Sequence, residues 1–357
     1  MRLKSTIKSH NPVSHGGLHS IPNPSKDILD FSSNVNPLGP SPAVINTIKK
    51  NLKSLEIYPD PNSLDLKEKI QKYTKVHSSQ VVIGNGATEI IYNFCMAFFS
   101  PKIPVLIPIP TFGEYEACAK LAGAKVSFFK TMSLKLDLQD FISRLPKNGF
   151  VFICNPNNPT GSLLSKNEIR KIIMAAKNKN TFIFLDECFI ELVPDTDESI
   201  VSEIGRYDNL FILRSFTKSF GLAGIRIGYG LGPKNIISVL NKIKIPWNVS
   251  GLAQHAASSA ISSPKYLEKT RKLIKTELKF LKKEISKLKN FEIYDSTTNF
   301  ILIKSKVRST TIQKQLLEDK ILIRDCSNFR GLDSHHFRIA VKKRKENLKL
   351  IKGLSKI

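Results

Sequence analysis

The stretch Arg214-Ser-Phe-Thr-Lys218-Ser-Phe-Gly-Leu-Ala-Gly-Ile-Arg226 decides how this 357-residue chain is read. It begins in an apolar run, Leu210–Ser215, whose composition predicts a β-strand, and it passes into a glycine-rich turn. Lys218 therefore sits just past a strand end, with Ser215 before it and Arg226 after it. A lysine buried near other cations loses its proton more easily, and the free amine can condense with an aldehyde. An arginine such as Arg226 is a two-pronged donor suited to an anion. Taken alone, the same letters also fit the basic start of a helix.

Outward from this stretch, short β-branched runs alternate with amphipathic ones, which predicts βαβ units on a mostly parallel sheet. The expected strands are Val81–Gly84, Pro104–Pro108, Lys125–Phe129, Phe150–Cys154, Thr181–Asp186, Leu210–Ser215 and Ile225–Gly230. Helices are expected between them, for example at Thr88–Phe99, Tyr115–Ala122 and Ser165–Lys177, the last opening on a Ser165/Glu168 capping box. After Pro246 a Lys/Leu-rich amphipathic segment, Ser250 to Lys289, leads into strand-like Phe291–Tyr294, Asn299–Lys304 and Phe337–Val341. The expected organisation is an arm and part of a small domain over 1–45, a large domain over 46–248, and a smaller α/β domain over 249–357. The first forty residues, rich in Pro, Asn, Ser and Gly, predict an ordered arm that adds nothing to a core.

Four further segments bear on chemistry. Asp186 ends an apolar strand; an aspartate there is a helix cap or turn residue, or an anion at a site. Asn155-Pro-Asn-Asn158-Pro-Thr-Gly161 has the letters of a common turn, set between two strands ahead of Asp186. Gly84-Asn-Gly86-Ala87-Thr88-Glu89 joins a strand to a helix, where backbone N–H groups and the Thr88 hydroxyl can cradle a phosphate. Phe112 is either core or a ring that stacks on a ligand.

In this order the segments resemble the class I and II aminotransferases and their relatives, over nearly the whole chain. The resemblance implies the aspartate aminotransferase fold (fold type I), with pyridoxal 5'-phosphate as cofactor, no metal, and a homodimer. It implies that Lys218 carries the cofactor as a Schiff base and that Asp186 pairs with the pyridine nitrogen, keeping the ring an electron sink. Gly86, Ala87, Thr88, Ser215 and Arg226 would hold the phosphate, Phe112 would stack on the ring, and Asn158 would bond the phenolic oxygen. Tyr58, in Tyr-Pro-Asp-Pro, resembles the tyrosine that reaches the cofactor phosphate of the neighbouring subunit. One position departs from the pattern: many relatives have a tyrosine where this chain has Phe189.

Within the family, two subgroups are similar: threonine-phosphate decarboxylases of cobalamin synthesis and histidinol-phosphate aminotransferases. His15-Gly16-Gly17, Asp30-Phe-Ser-Ser-Asn34-Val-Asn36-Pro-Leu-Gly39 and Arg324-Asp-Cys-Ser-Asn-Phe329 resemble the decarboxylase pattern. That implies O-phospho-L-threonine, or its serine analogue, as substrate, and the aminotransferase is the alternative. Arg338 would hold the substrate carboxylate and Arg324, His15 and the Gly16 N–H its phosphate, with Asn34 and Asn158 also in contact. Read alone, Arg324 could as well pair with Asp325, and His15 could be a turn histidine.

Composition narrows the remaining classes. Lys and Arg exceed Asp and Glu by 55 to 30, a formal charge of +25. With the lysines spread over many helix faces, this reads as a solvated basic surface suited to anionic small molecules rather than a nucleic-acid site. The opening MRLKSTIKSHNPVSHGG lacks an apolar signal core, and no apolar run is long enough to span a membrane, so a cytoplasmic protein is expected. The five scattered cysteines predict reduced thiols, and Cys188 is expected to act as a small buried hydrophobe.

Overall fold

The computed structural model describes residues 4–357. Strands are numbered along the chain: β1 Leu29–Asp30, β2 Val81–Gly84, β3 Pro104–Ile109, β4 Lys125–Lys130, β5 Phe150–Cys154, β6 Phe182–Asp186, β7 Leu210–Ser215, β8 Gly228–Leu231, β9 Phe291–Ile293, β10 Phe300–Ser305, β11 Ile321–Leu322, β12 Arg324–Asp325 and β13 His336–Ala340. Seven of them form one sheet in the order β2-β8-β7-β6-β5-β3-β4. All its pairings are parallel except those of β8, which runs antiparallel to both β2 and β7. Every residue of β2 and β7 is buried, as expected where helices cover both faces of a sheet.

The helices form where apolar residues recur on one face. In Lys166–Asn178 the buried residues are Ile169, Ile172, Ile173 and Ala176, and the Ser165/Glu168 capping box closes its start. The segment expected as one amphipathic stretch from Ser250 is two helices, Gly251–Ile261 and Pro264–Ile285. Pro264 has no N–H to continue the first helix but suits the first turn of the next. The strand expected from Ile225 begins later, at Gly228, because Arg226 adopts a left-handed φ of 58° that a ladder cannot accept.

Phe94 lies at the centre of an aromatic cluster, its ring 4.9 Å from Phe184, 5.2 Å from Phe211 and 5.8 Å from Phe150, centroid to centroid. Phe94→Ala is expected to cost ~3–5 kcal/mol of stability, read as a lower urea midpoint; a change under about 1 kcal/mol would show that the cluster can collapse around the gap.

A second core lies on the four-stranded sheet β12-β13-β10-β9, with Leu278, Leu281 and Ile285 of the long helix packed against it. Here the structure corrects one expectation: Phe31, in the amino-terminal segment, is fully buried in this core. It is brought there because β1 pairs in parallel with β11. No helix among the described residues is long and apolar enough to cross a membrane.

Candidate active site

The parallel strands deliver their carboxyl ends to one edge, and antiparallel β8 begins at that same edge. Ligands of open α/β sheets bind along such an edge. Gly86 follows β2, Phe112 follows β3, Asn158 follows β5, Asp186 ends β6 and Lys218 follows β7. At this edge lies a cavity of about 1320 Å³, whose wall includes Thr88, Phe112, Asn158, Lys218 and Arg226 from the large sheet's loops. His15, Gly16 and Asn34 of the amino-terminal segment and Arg324 and Arg338 of the small sheet complete it.

Lys218 stands on a one-turn helix, Phe216–Ser219, started by the Ser215 hydroxyl, which accepts the Thr217 N–H at 3.1 Å. Its backbone carbonyl accepts the Asn36 N–H at 3.0 Å, tying the amino-terminal segment to it. Burial pushes the amine down to about 8; Arg338 and Arg226 add to this, and Cys188 and Asp186 oppose it. Its Nζ lies 5.8 Å from the centre of the Phe189 ring, so no hydroxyl meets it there.

Asp186 is buried, and burial raises its carboxyl above the usual range. The Tyr115 hydroxyl donates to one oxygen at 2.6 Å and the Cys188 N–H to the other at 2.8 Å, both favouring the ionised form. Tyr115 in turn stacks on Phe152 and meets Phe112 edge-on, 5.6 Å between centroids. Cys188 is itself buried.

At the start of helix Ala87–Phe98, Gly86 has φ 83°, and a Cβ there would lie 2.5 Å from Arg226 Nη2. No side chain caps this first turn. A glycine that lets a guanidinium approach a helix amino-terminus makes a cradle for a phosphate. Gly86→Ala is expected to weaken phosphorylated-cofactor binding by about tenfold or more, since a clash and an unfavourable φ coincide; fluorescence titration of the apoprotein checks it.

Arg338 rises from β13. Its Nη2 donates to the Ser32 carbonyl at 2.9 Å and its Nη1 to Asn158 Oδ1, while its Nε is buried with no partner among the described residues. Burial, with Arg324 nearby, pushes its pKa down to about 10. Asn34 Oδ1 is likewise buried and unpartnered. Such orphaned polar atoms are costly unless a ligand meets them. Arg324 donates through Nη2 to the Ser14 carbonyl at 2.7 Å and to Asn328 at 3.0 Å. Asp325 instead accepts from Ser309 and Ser327, so the Arg324–Asp325 pair suggested by the sequence does not form.

Gly86, Ala87, Asp186 and Ser215 are not on the cavity wall itself but neighbour Arg226, Thr88, Lys218 and Thr217, which are, while Tyr58 stays away. It is 79% exposed, packs on Trp247 with centroids 4.9 Å apart, and does not line its own chain's cavity. Sequence reading missed Tyr115 and Glu114, whose roles depend on contacts 71 and 99 residues distant. It also missed the buried group beneath the site, where Arg214 bonds Glu187 at 2.8 Å and Glu191 at 3.2 Å. Polar letters inside apolar runs were the signal available for it.

Comparison with known proteins agrees with this architecture. The profile of aminotransferase class I and II matches residues 26–354. A Caldanaerobacter subterraneus protein, provisionally named a threonine-phosphate decarboxylase, is 36% identical over 96% of this chain and 93% of its own. The histidinol-phosphate aminotransferase structure from Clostridium acetobutylicum is 35% identical, covers 92% of this chain and 98% of its own, and superposes with a TM-score of 0.86. A histidinol-phosphate aminotransferase from Sinorhizobium meliloti, solved with pyridoxal-5'-phosphate, is 21% identical over 99% of this chain and 97% of its own, with a TM-score of 0.89. With the aspartate aminotransferase-like fold in place, the chain belongs to the pyridoxal-phosphate-dependent family of class I and II aminotransferases.

Proposed function

We propose that the chain decarboxylates O-phospho-L-threonine to an amino alcohol phosphate. The observation that carries this reading is the contact between Ser14 and the Arg324/Asn328 pair. Arg324 Nη2 and Asn328 Nδ2 both donate to the Ser14 carbonyl, at 2.7 and 3.2 Å. The two segments that resemble the decarboxylase pattern, His15-Gly16-Gly17 and Arg324 to Phe329, thus meet along one cavity. A histidinol-phosphate aminotransferase is the second reading, favoured by the Clostridium structure at nearly the same identity.

The residues fit pyridoxal phosphate. Gly86, Ala87, Thr88, Ser215 and Arg226 would hold its phosphate, Asp186 its ring nitrogen, Asn158 its phenolic oxygen and Phe112 its face. When bound, the cofactor supplies an electron sink for the charge left at Cα as a bond there breaks. The protein decides which bond. Arg338 would grip the substrate carboxylate, with Arg324 and His15 on the phosphate, and the pull between these anchors sets the angle at Cα. Lys218, which lines the same cavity, would return a proton to Cα after carbon dioxide leaves. In the aminotransferase reading it would remove one instead.

A homodimer forms part of the proposal. Leu55, Ile57, Tyr58, Ile245 and Trp247 are half to four-fifths exposed, an apolar surface that a second copy would cover. Tyr58 would then complete the partner's site.

The test is direct. The purified protein with pyridoxal phosphate is given O-phospho-L-threonine without a keto acid, and carbon dioxide and product amine are measured. Release is expected. No release, together with amino transfer from histidinol phosphate to 2-oxoglutarate, would install the second reading on the same fold.

A further inference from the structure

His15 Nε2 and Glu114 Oε1 lie 2.6 Å apart across 99 residues of sequence. Glu114 is 6% exposed, at the start of helix Glu114–Leu121, and its other oxygen accepts the Tyr92 hydroxyl at 2.9 Å. Burial opposes its charge, but the hydrogen bonds from His15 and Tyr92, with the fields of His15 and His10, hold the carboxyl below its usual range. A carboxylate can only accept, so His15 Nε2 carries the hydrogen of this bond, and Nδ1 is the ring nitrogen left for a ligand, donating to an anion when both ring nitrogens carry hydrogens. The His15 ring lines the cavity, 5.8 Å from Phe112 between centroids.

The neighbouring residues are tied in the opposite direction. The Ser14 carbonyl is held by Arg324 and Asn328, and the Gly17 N–H donates to Ser32 Oγ at 2.7 Å. A Cβ on Gly16 would lie 3.0 Å from Arg324 Cδ, so the backbone passes close to that side chain. The only tie from this turn to the large-domain helix among these bonds is Glu114.

We propose that Glu114 is a positioning residue: it fastens the Ser14–Gly17 turn along the cavity and presents His15, through Nδ1–H, as a donor to the phosphoryl group of the substrate. This rests on the reading that the substrate is a phosphate ester, a feature shared by both activities considered above. A buried carboxylate spent on an arm histidine, instead of on a substrate group, gives the site selectivity without touching the reacting atoms.

The experiment uses the holoenzyme and two readouts. In Glu114→Ala, backbone hydrogen exchange across residues 10–17 is expected to accelerate. KM for the phosphorylated substrate is expected to rise about tenfold, the effect of one charge-assisted bond, with kcat falling less. Glu114→Gln keeps an acceptor for Nε2–H and is expected to recover most of both effects. His15→Ala should reproduce the Glu114→Ala changes, and the double variant should be no worse than either. Faster exchange with an unchanged KM overturns the proposal, because the contact is then only a tether; unchanged exchange overturns it too. Should Glu114→Ala fail to fold, His15→Ala decides on the same two readouts. Failure of the decarboxylase reading is seen separately, as no carbon dioxide from the wild type. The two readouts are then taken with histidinol phosphate and 2-oxoglutarate.

Discussion

Lys218→Ala is expected to reduce turnover by on the order of 10⁴-fold and to abolish covalent capture of pyridoxal phosphate, checked by steady-state rates and by mass spectrometry after borohydride treatment. The size of the effect follows from the absence of a substitute nearby. Cys188 and Cys154 are pushed up as acids by burial and by Asp186, so neither supplies a thiolate at neutral pH. Asp186 is tied by Tyr115 and by the Cys188 N–H, and Arg338 by Asn158 and Ser32. Lys218→Arg keeps the charge but offers no amine that deprotonates, and should be as inactive.

The same lysine predicts a pH dependence. In the free protein its pKa is pushed to about 8, burial being the first cause and the cations Arg338 and Arg226 the next. Below that value the amine carries a proton and cannot attack; above it the amine is free. The rate of cofactor capture by the apoprotein should therefore climb about tenfold per pH unit up to roughly 8 and level beyond it. A rate flat between pH 6 and 7.5, followed by absorbance in stopped flow, would contradict the lowered pKa.

The centre of the sheet could be read from the sequence because its inner strands are buried on both faces and so appear as nearly unbroken apolar runs. Phe150–Cys154 and Leu210–Ser215 match their expected bounds for this reason. What failed to show was set by three-dimensional packing. Arg226 looked like strand, yet its left-handed backbone turns the side chain toward Gly86, a demand visible only once the two loops face each other. Phe31 looked like arm because its neighbours are Pro, Asn and Ser; its burial depends on β1 finding β11 nearly three hundred residues away. Motif residues following strand ends could be placed, since strand ends converge. The supports behind them, Tyr115 for Asp186 and Glu114 for His15, could not, because tyrosine and glutamate at a helix start also suit solvent and core.

Arg338 offers the second large effect. If it holds the substrate carboxylate, Arg338→Ala should lower kcat/KM by about 10³-fold, both through the lost bidentate pair and through the partners left behind. Those partners are specific: Asn158 Oδ1 and the Ser32 carbonyl, both bonded to the guanidinium, would join the already orphaned Asn34 Oδ1 without a partner. Arg338→Lys should rescue little. A single ammonium cannot reach Asn158, Ser32 and a two-oxygen anion together, and it loses the guanidinium's place 5.3 Å over the Phe300 ring. The products carry further information. An anchored carboxylate and an anchored phosphate together fix the orientation of Cα, so releasing one anchor should change which bond breaks as well as how fast. The ratio of carbon dioxide release to amino transfer, measured with a keto acid present, should therefore shift in Arg338→Lys. A variant slowed equally in both reactions would show instead that Arg338 only binds, and that the bond is chosen elsewhere in the cavity.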